Sequence, residues 1–189
     1  MSYAKKLSIC AVCIALCYAL PLAFHALALG SLLSPMHLPV LLCGLVCGWP
    51  YGLVCGIVGP ILSSVLSAMP AASQLVYMVP ELCVYGWCAG LLFRHIRTGN
   101  SVADLYCALI PAMLAGRVAG GLMRAVFYLA GVQSYSLSLW ASAYVVGTLP
   151  GIVLQLIVLP VLVLVLMKAR LIPPRYPVLR AEAAAVKEP

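Results

Sequence analysis

The chain has 189 residues, of which 65% are hydrophobic and only 8% charged. A soluble domain carries about a quarter charged residues, so this composition excludes a water-soluble fold and leaves an integral membrane protein. The formal net charge of +7 comes from 11 basic and 4 acidic residues, and their placement along the chain accounts for it without nucleic-acid binding.

The apolar runs are continuous and long, which fits membrane helices and not the alternating strands of a barrel. The first run, from Leu7 to Leu29, follows Lys5 and Lys6 and exceeds a signal-peptide core. Within it Ala11, Ala15, Ala19 and Ala23 recur every four residues. Small residues at that spacing make a smooth stripe, suited either to internal packing or to docking another membrane subunit. A loop over 30–37 follows, with Met36 and His37 at its end.

The second helix is expected from Leu38 to Gly48 and the third from Tyr51 to Leu66. Pro50 has no amide proton and restricts Trp49, so the chain breaks there. The second helix is short for a full span, which implies tilt or partial re-entry. Gly44, Gly48, Gly52 and Gly56 then divide between two helices that can approach closely.

The fourth helix runs from Gln74 to Phe93, and Pro80 should kink it just before Glu81. A polar loop, Arg94 to Ser101, leads to the fifth helix over Val102–Ala130, with Ser101 and Asp104 placed to cap it. The sixth helix runs from Trp140 to Met167. The expected fold is an all-α, polytopic six-helix membrane bundle, one domain over 1–172, with a polar tail over 173–189 that lacks fixed structure.

Loops 30–37, 67–73 and 131–139 carry no Lys or Arg. The other side carries Lys5, Lys6, Arg94, Arg97, Lys168, Arg170, Arg175, Arg180 and Lys187. The positive-inside rule therefore puts both termini in the cytoplasm.

Three charges remain inside the spans: Glu81, Arg117 and Arg124. Charges at that depth are costly and face a cavity or a partner. At about 1.5 Å per residue, Glu81 lies roughly 11 Å below the outer end of its helix, with Arg124 at about 9 Å and Arg117 at about 20 Å. Glu81 and the arginines either lock two helices or contact a ligand. Helix four adds Gln74, Tyr77, Met78, Tyr85 and Cys88 on the same side. Helix six adds Trp140, Tyr144, Thr148 and Gln155. His37 suits the headgroup level or ligand contact equally. The candidate small-molecule site is Met36, His37, Gln74, Tyr77, Glu81, Arg124, Tyr144, Thr148 and Gln155, with Arg117 as a structural charge.

Nine cysteines lie mostly in apolar runs, where they read as small packing residues. Neither a metal site nor a disulfide framework is indicated, and no cofactor is called for. The chain has no P-loop, H-E-x-x-H or G-x-S-x-G motif, so it is expected not to be an enzyme.

The alanine stripe, the segment Ser34-Pro-Met-His-Leu-Pro-Val-Leu-Leu-Cys-Gly-Leu-Val-Cys-Gly-Trp-Pro-Tyr-Gly, and the stretches Pro80–Gly86, Ala115-Gly116-Arg117 and Pro150–Gln155 carry a resemblance. Over residues 5–172 the chain resembles the substrate-binding (S) components of energy-coupling factor (ECF) vitamin transporters of bacterial plasma membranes. That resemblance implies a vitamin or precursor bound near the outer face, and docking through Ala11, Ala15 and Ala19 onto a transmembrane coupling subunit (EcfT-like). It also implies two cytoplasmic ATPase subunits and delivery of the cargo inward. The Ser34–Gly52 segment is most similar to members assigned to cobalamin precursors, and members assigned to hydroxymethylpyrimidine look similar. Membrane lipid is a further expected contact; nucleic acid is not. The alternative reading is an autonomous secondary transporter or channel, which should show repeated halves with paired broken helices.

Overall fold

In the computed structural model, residues 1–26, 35–129, 149–173 and 175–176 are described. Among them are six helices: α1 Tyr3–Ala26, α2 His37–Cys47, α3 Trp49–Ser67, α4 Ala72–His95, α5 Ser101–Leu129 and α6 Leu149–Lys168. All but α2 are long and apolar enough to cross a membrane. With 11 residues, α2 is about 16 Å long, roughly half the hydrocarbon thickness. The protein is an all-helical membrane bundle, as its composition requires. Trp140, Tyr144 and Thr148 fall outside the described residues, as does the expected start of the last helix at Trp140.

The break between α2 and α3 falls where Trp49-Pro50 puts it. Gly48 joins the two helices with φ +98°, a left-handed conformation that a side chain would strain. The chain therefore folds back at once, and α2 and α3 form a tight hairpin. Helix α4 crosses that hairpin through Gly86. A Cβ on Gly86 would overlap the Gly52 carbonyl, and a Cβ on Gly44 or Gly52 would overlap the Gly86 carbonyl. One turn along, a Cβ on Gly56 would come within 2.7 Å of the Leu82 carbonyl oxygen. The glycine repeat is thus the point where three backbones meet, the close approach that stabilises helices in lipid through dispersion. Helix α4 packs on α2, α3 and α5, which makes it the axis of the bundle, while α6 touches α2 and α5.

Helix α1 lies against α2 and α3. Its Cys10, Cys13 and Cys17 are buried, and they meet buried Cys43 and Cys47 of α2 and Cys55 of α3. Cys17 Sγ lies 4.0 Å from Cys55 Sγ, and Cys47 Sγ donates to the Lys6 carbonyl at 3.5 Å. The thiols act as compact apolar residues that also donate to carbonyls of neighbouring helices. All nine cysteines are free. On the opposite face, Ala11, Ala15 and Ala19 are exposed. The two faces follow from periodicity: positions 10, 13 and 17 share one side of a 3.6-residue helix, and 11, 15 and 19 share another.

Capping of α5 differs from the expectation. Asn100 Oδ1 accepts from the Val102 amide at 3.0 Å, so Asn100 is the cap and Ser101 opens the helix. The Asp104 carboxylate instead anchors the segment after α6. Arg175 Nε lies 2.6 Å from Asp104 Oδ2, and the Tyr176 hydroxyl donates to the same oxygen at 2.6 Å. The amide and hydroxyl of Thr98 both donate to Asp104 Oδ1 at 2.7 Å. Arg175 also donates to the Ile96 carbonyl and stacks 4.1 Å over the Phe93 ring. Residues 175–176, assigned by sequence to the tail, are thereby fastened to the α4–α5 loop.

Candidate functional site

Helices α4 and α5 are antiparallel neighbours, and their register sets the site. Tyr77 lies opposite Arg124, whose guanidinium carbon sits 4.1 Å from the centre of the Tyr77 ring. Two turns along α4, the Tyr85 ring lies on Gly116: a Cβ there would come within 2.7 Å of the ring. Glu81 and Gly120 fall midway between these contacts. The spacing of four along each helix makes the three levels line up on one face. Arg117 adjoins Gly116, and the Tyr85 phenol interacts electrostatically with both Arg117 and Glu81.

His37 completes the cluster from α2. The sequence placed it in an outer loop. It is instead the first residue of α2 and is buried. From that position its side chain reaches α4. His37 Nε2 lies 3.5 Å from Glu81 Oε1. The imidazole also stands edge-on to Tyr85, with ring centres 5.0 Å apart and planes at 87°, a favoured aromatic geometry.

Gln155 projects from the inner side of α6, on a buried stripe with Gly151, Leu159 and Val163. It is fully buried, and among the described residues neither amide atom has a hydrogen-bond partner. Such groups are costly in lipid, where no water replaces the missing partner. Met36 is buried in the hydrophobic core, one residue before α2. Gln74 is exposed in the first turn of α4, three residues before Tyr77. The structure therefore brings His37, Glu81, Tyr77 and Arg124 onto adjoining levels of α2, α4 and α5. Tyr85 is at the centre of the cluster, although the sequence reading did not select it. Its position four residues after Glu81, on the same helix face, was the available signal.

The arrangement of α2, α4 and α5 offers aromatic surfaces, an imidazole, an acid and two guanidiniums. Among the described residues, no three His, Cys, Asp or Glu groups are positioned to hold a metal ion. Groups of these kinds suit contact with a small polar molecule.

The family model described as ECF transporter, substrate-specific component, matches residues 5–163. The chain belongs to that family. The match covers every helix up to the last turn of α6 and includes all the clustered residues above. No curated protein and no solved structure matches. Members of the family are substrate-binding subunits of transporters and not enzymes. As an ECF substrate-specific component with several helices able to span, this chain is a multi-pass membrane protein.

Proposed function

We propose that the chain binds a small vitamin or vitamin precursor from the outer side. It delivers that cargo inward together with an EcfT-like transmembrane coupling subunit and two cytoplasmic ATPase subunits in a bacterial plasma membrane. The cargo site consists of His37, Tyr77, Glu81, Tyr85 and Arg124, with Gln155 facing the interior from α6. Met36, Gln74, Tyr144 and Thr148 are further proposed contacts of the cargo. Arg117, the deeper arginine, holds α4 and α5 together around Tyr85. A flat heterocycle suits the aromatic surfaces. Resemblance of the Ser34–Gly52 segment points to a cobalamin precursor, with a hydroxymethylpyrimidine as the neighbouring choice. Both termini lie in the cytoplasm, on the side that holds Arg94, Arg97 and Lys168.

The observation that carries this reading is the two-sidedness of α1. Its thiol face is consumed inside the bundle, while Ala11, Ala15 and Ala19 are left exposed. Most lipid-facing positions elsewhere in the bundle are large: Leu114, Val118, Leu122 and Val126 line the outside of α5. A row of alanines on the outside gains little from lipid but lets another helix approach closely.

Substituting Ala15 and Ala19 with Trp should abolish association with the coupling subunit and transport. Folded yield and cargo binding by the isolated chain should stay unchanged, since neither side chain touches the core. Pull-down of tagged chain from membranes containing the coupling subunit, alongside its melting temperature, gives both readouts. Unimpaired association of the double Trp variant would remove this face from docking.

A further inference from the structure

Three contacts gather the start of α1, the α2–α3 turn, the α4–α5 loop and the end of α6 at one end of the bundle. Cys47, the last residue of α2, donates to the Lys6 carbonyl. Trp49, the first residue of α3, lies against Gly90 of α4. Arg175, beyond the end of α6, reaches Ile96 and Asp104 on either side of the α4–α5 loop. This end carries Lys5, Lys6, Arg94, Arg97, Lys168 and Arg170, all exposed except Lys6, which is half-buried. Among the described residues the acids are Glu81, which meets His37, and Asp104, which is paired with Arg175. The six cations are therefore left in excess at this end, and clustered cations at a membrane surface attract anionic headgroups.

One part of this rim combines charge with the other groups that a phospholipid needs. Lys6 Nζ lies 5.9 Å from the centre of the Tyr51 ring, so a cation and an aromatic ring meet at the seam between α1 and α3. Tyr3 stands edge-on to the same ring, with centres 6.2 Å apart. Tyr3, Lys5 and Trp49 are exposed. Tyr and Trp have an apolar body and a polar tip, which suits the headgroup level. Val54 and Val58 are exposed further along α3, and their spacing puts them on the face of Tyr51. Leu7 is exposed on α1. Cations, then tyrosines, then an apolar strip match the order of phosphate, glycerol and acyl chain. A free phosphate ion would use the cations alone.

We propose that the α1–α3 seam holds one anionic phospholipid. Its phosphate lies at Lys5 and Lys6, its glycerol at Tyr51 and one chain along Val54 and Val58. The site is separate from the cluster of α2, α4 and α5, and it stands whether or not the chain transports a vitamin. Lys168 and Arg170 follow a helix that packs on α2 and α5, so they serve as a matched control for surface charge.

The test titrates the full chain in mild detergent with phosphatidylglycerol or phosphatidylcholine of the same chain length. Bound lipid is counted by native mass spectrometry. The first phosphatidylglycerol should bind about tenfold more tightly than phosphatidylcholine, the scale expected for two lysines at a membrane surface. Lys5→Gln with Lys6→Gln should remove the preference, and Lys5→Arg with Lys6→Arg should keep it. Lys168→Gln with Arg170→Gln should also keep it. The Gln pair retains the backbone carbonyl that accepts from Cys47, so its size-exclusion profile should match the wild type. Glycerol 3-phosphate in large excess should leave the lipid bound.

Equal affinity of the wild type for the two lipids would overturn the site. So would a preference that survives in the Lys5→Gln, Lys6→Gln variant. An equal loss in the Lys168→Gln, Arg170→Gln variant would mean that diffuse surface charge, and not the seam, attracts the lipid. Displacement by glycerol 3-phosphate would make a free phosphate ester the ligand, and the lipid assignment would fail.

Discussion

Arg175→Ala is expected to cost about 3 kcal/mol of stability, near the lower end of the range for breaking a buried charge pair. The full range applies when the remaining charge has no other donor. Here Asp104 keeps two donors from Thr98 and one from Tyr176, all within 2.7 Å. It is nevertheless fully buried, so a carboxylate stripped of its cation cannot recover solvation. Asp104→Asn should cost less, because Arg175 keeps the Ile96 carbonyl and the Phe93 ring. The double variant should be more stable than the sum of the single losses implies, since the two side chains are coupled. Six of the nine cysteines are buried in the α1–α2–α3 interface. A thiol-reactive fluorophore therefore reports unfolding directly, and thermal ramps of the three variants give the comparison. Strict additivity would mean that the contact contributes nothing to holding the tail.

Gly86→Leu should have a still larger effect and leave no monodisperse protein. Overpacking a core costs about 1–3 kcal/mol when side chains can move aside. At Gly86 the obstacle is the backbone of Gly52, which cannot rotate away. Helices α2, α3 and α4 would have to separate together, moving His37 away from Glu81. Val118→Leu on the exposed face of α5 is the matched control and should be neutral. Size-exclusion profiles after detergent extraction decide the matter. A folded Gly86→Leu variant with normal yield would mean that the three-helix crossing is looser than its geometry indicates.

The helices were legible because hydrophobic runs and proline positions are local signals. Trp49-Pro50 located the α2–α3 break, and Gly44, Gly52 and Gly56 announced close packing before any partner was visible. Their partner, Gly86, was not legible, since nothing in a single sequence says which helix crosses a glycine stripe. Depth arithmetic placed Glu81 between the levels of the two arginines, and the contacts from Tyr77 to Arg124 and from Tyr85 to Gly116 follow that register. The contact of His37 with Glu81 was not legible, since a single sequence does not say which helix end meets which neighbour. The Asp104–Arg175 pair joins residues more than seventy positions apart. No local pattern anticipates it, and the carboxylate at the fourth residue of a helix reads first as a cap.

Membership of the ECF substrate-specific component family, the exposed alanine face of α1 and the polar cluster between α2, α4 and α5 lead to one functional claim. The proposal is that the chain acts as the cargo-selecting part of a larger ATP-driven importer. Purification of the tagged chain from its native membranes under mild detergent, followed by mass spectrometry of every associated polypeptide, tests this most directly. The account predicts a stoichiometric complex with one further multi-spanning subunit and two P-loop ATPase subunits, lost in the Ala15→Trp, Ala19→Trp variant. A chain that purifies alone or only with copies of itself, and that moves solute across vesicle membranes without ATP, would contradict it and favour an autonomous transporter.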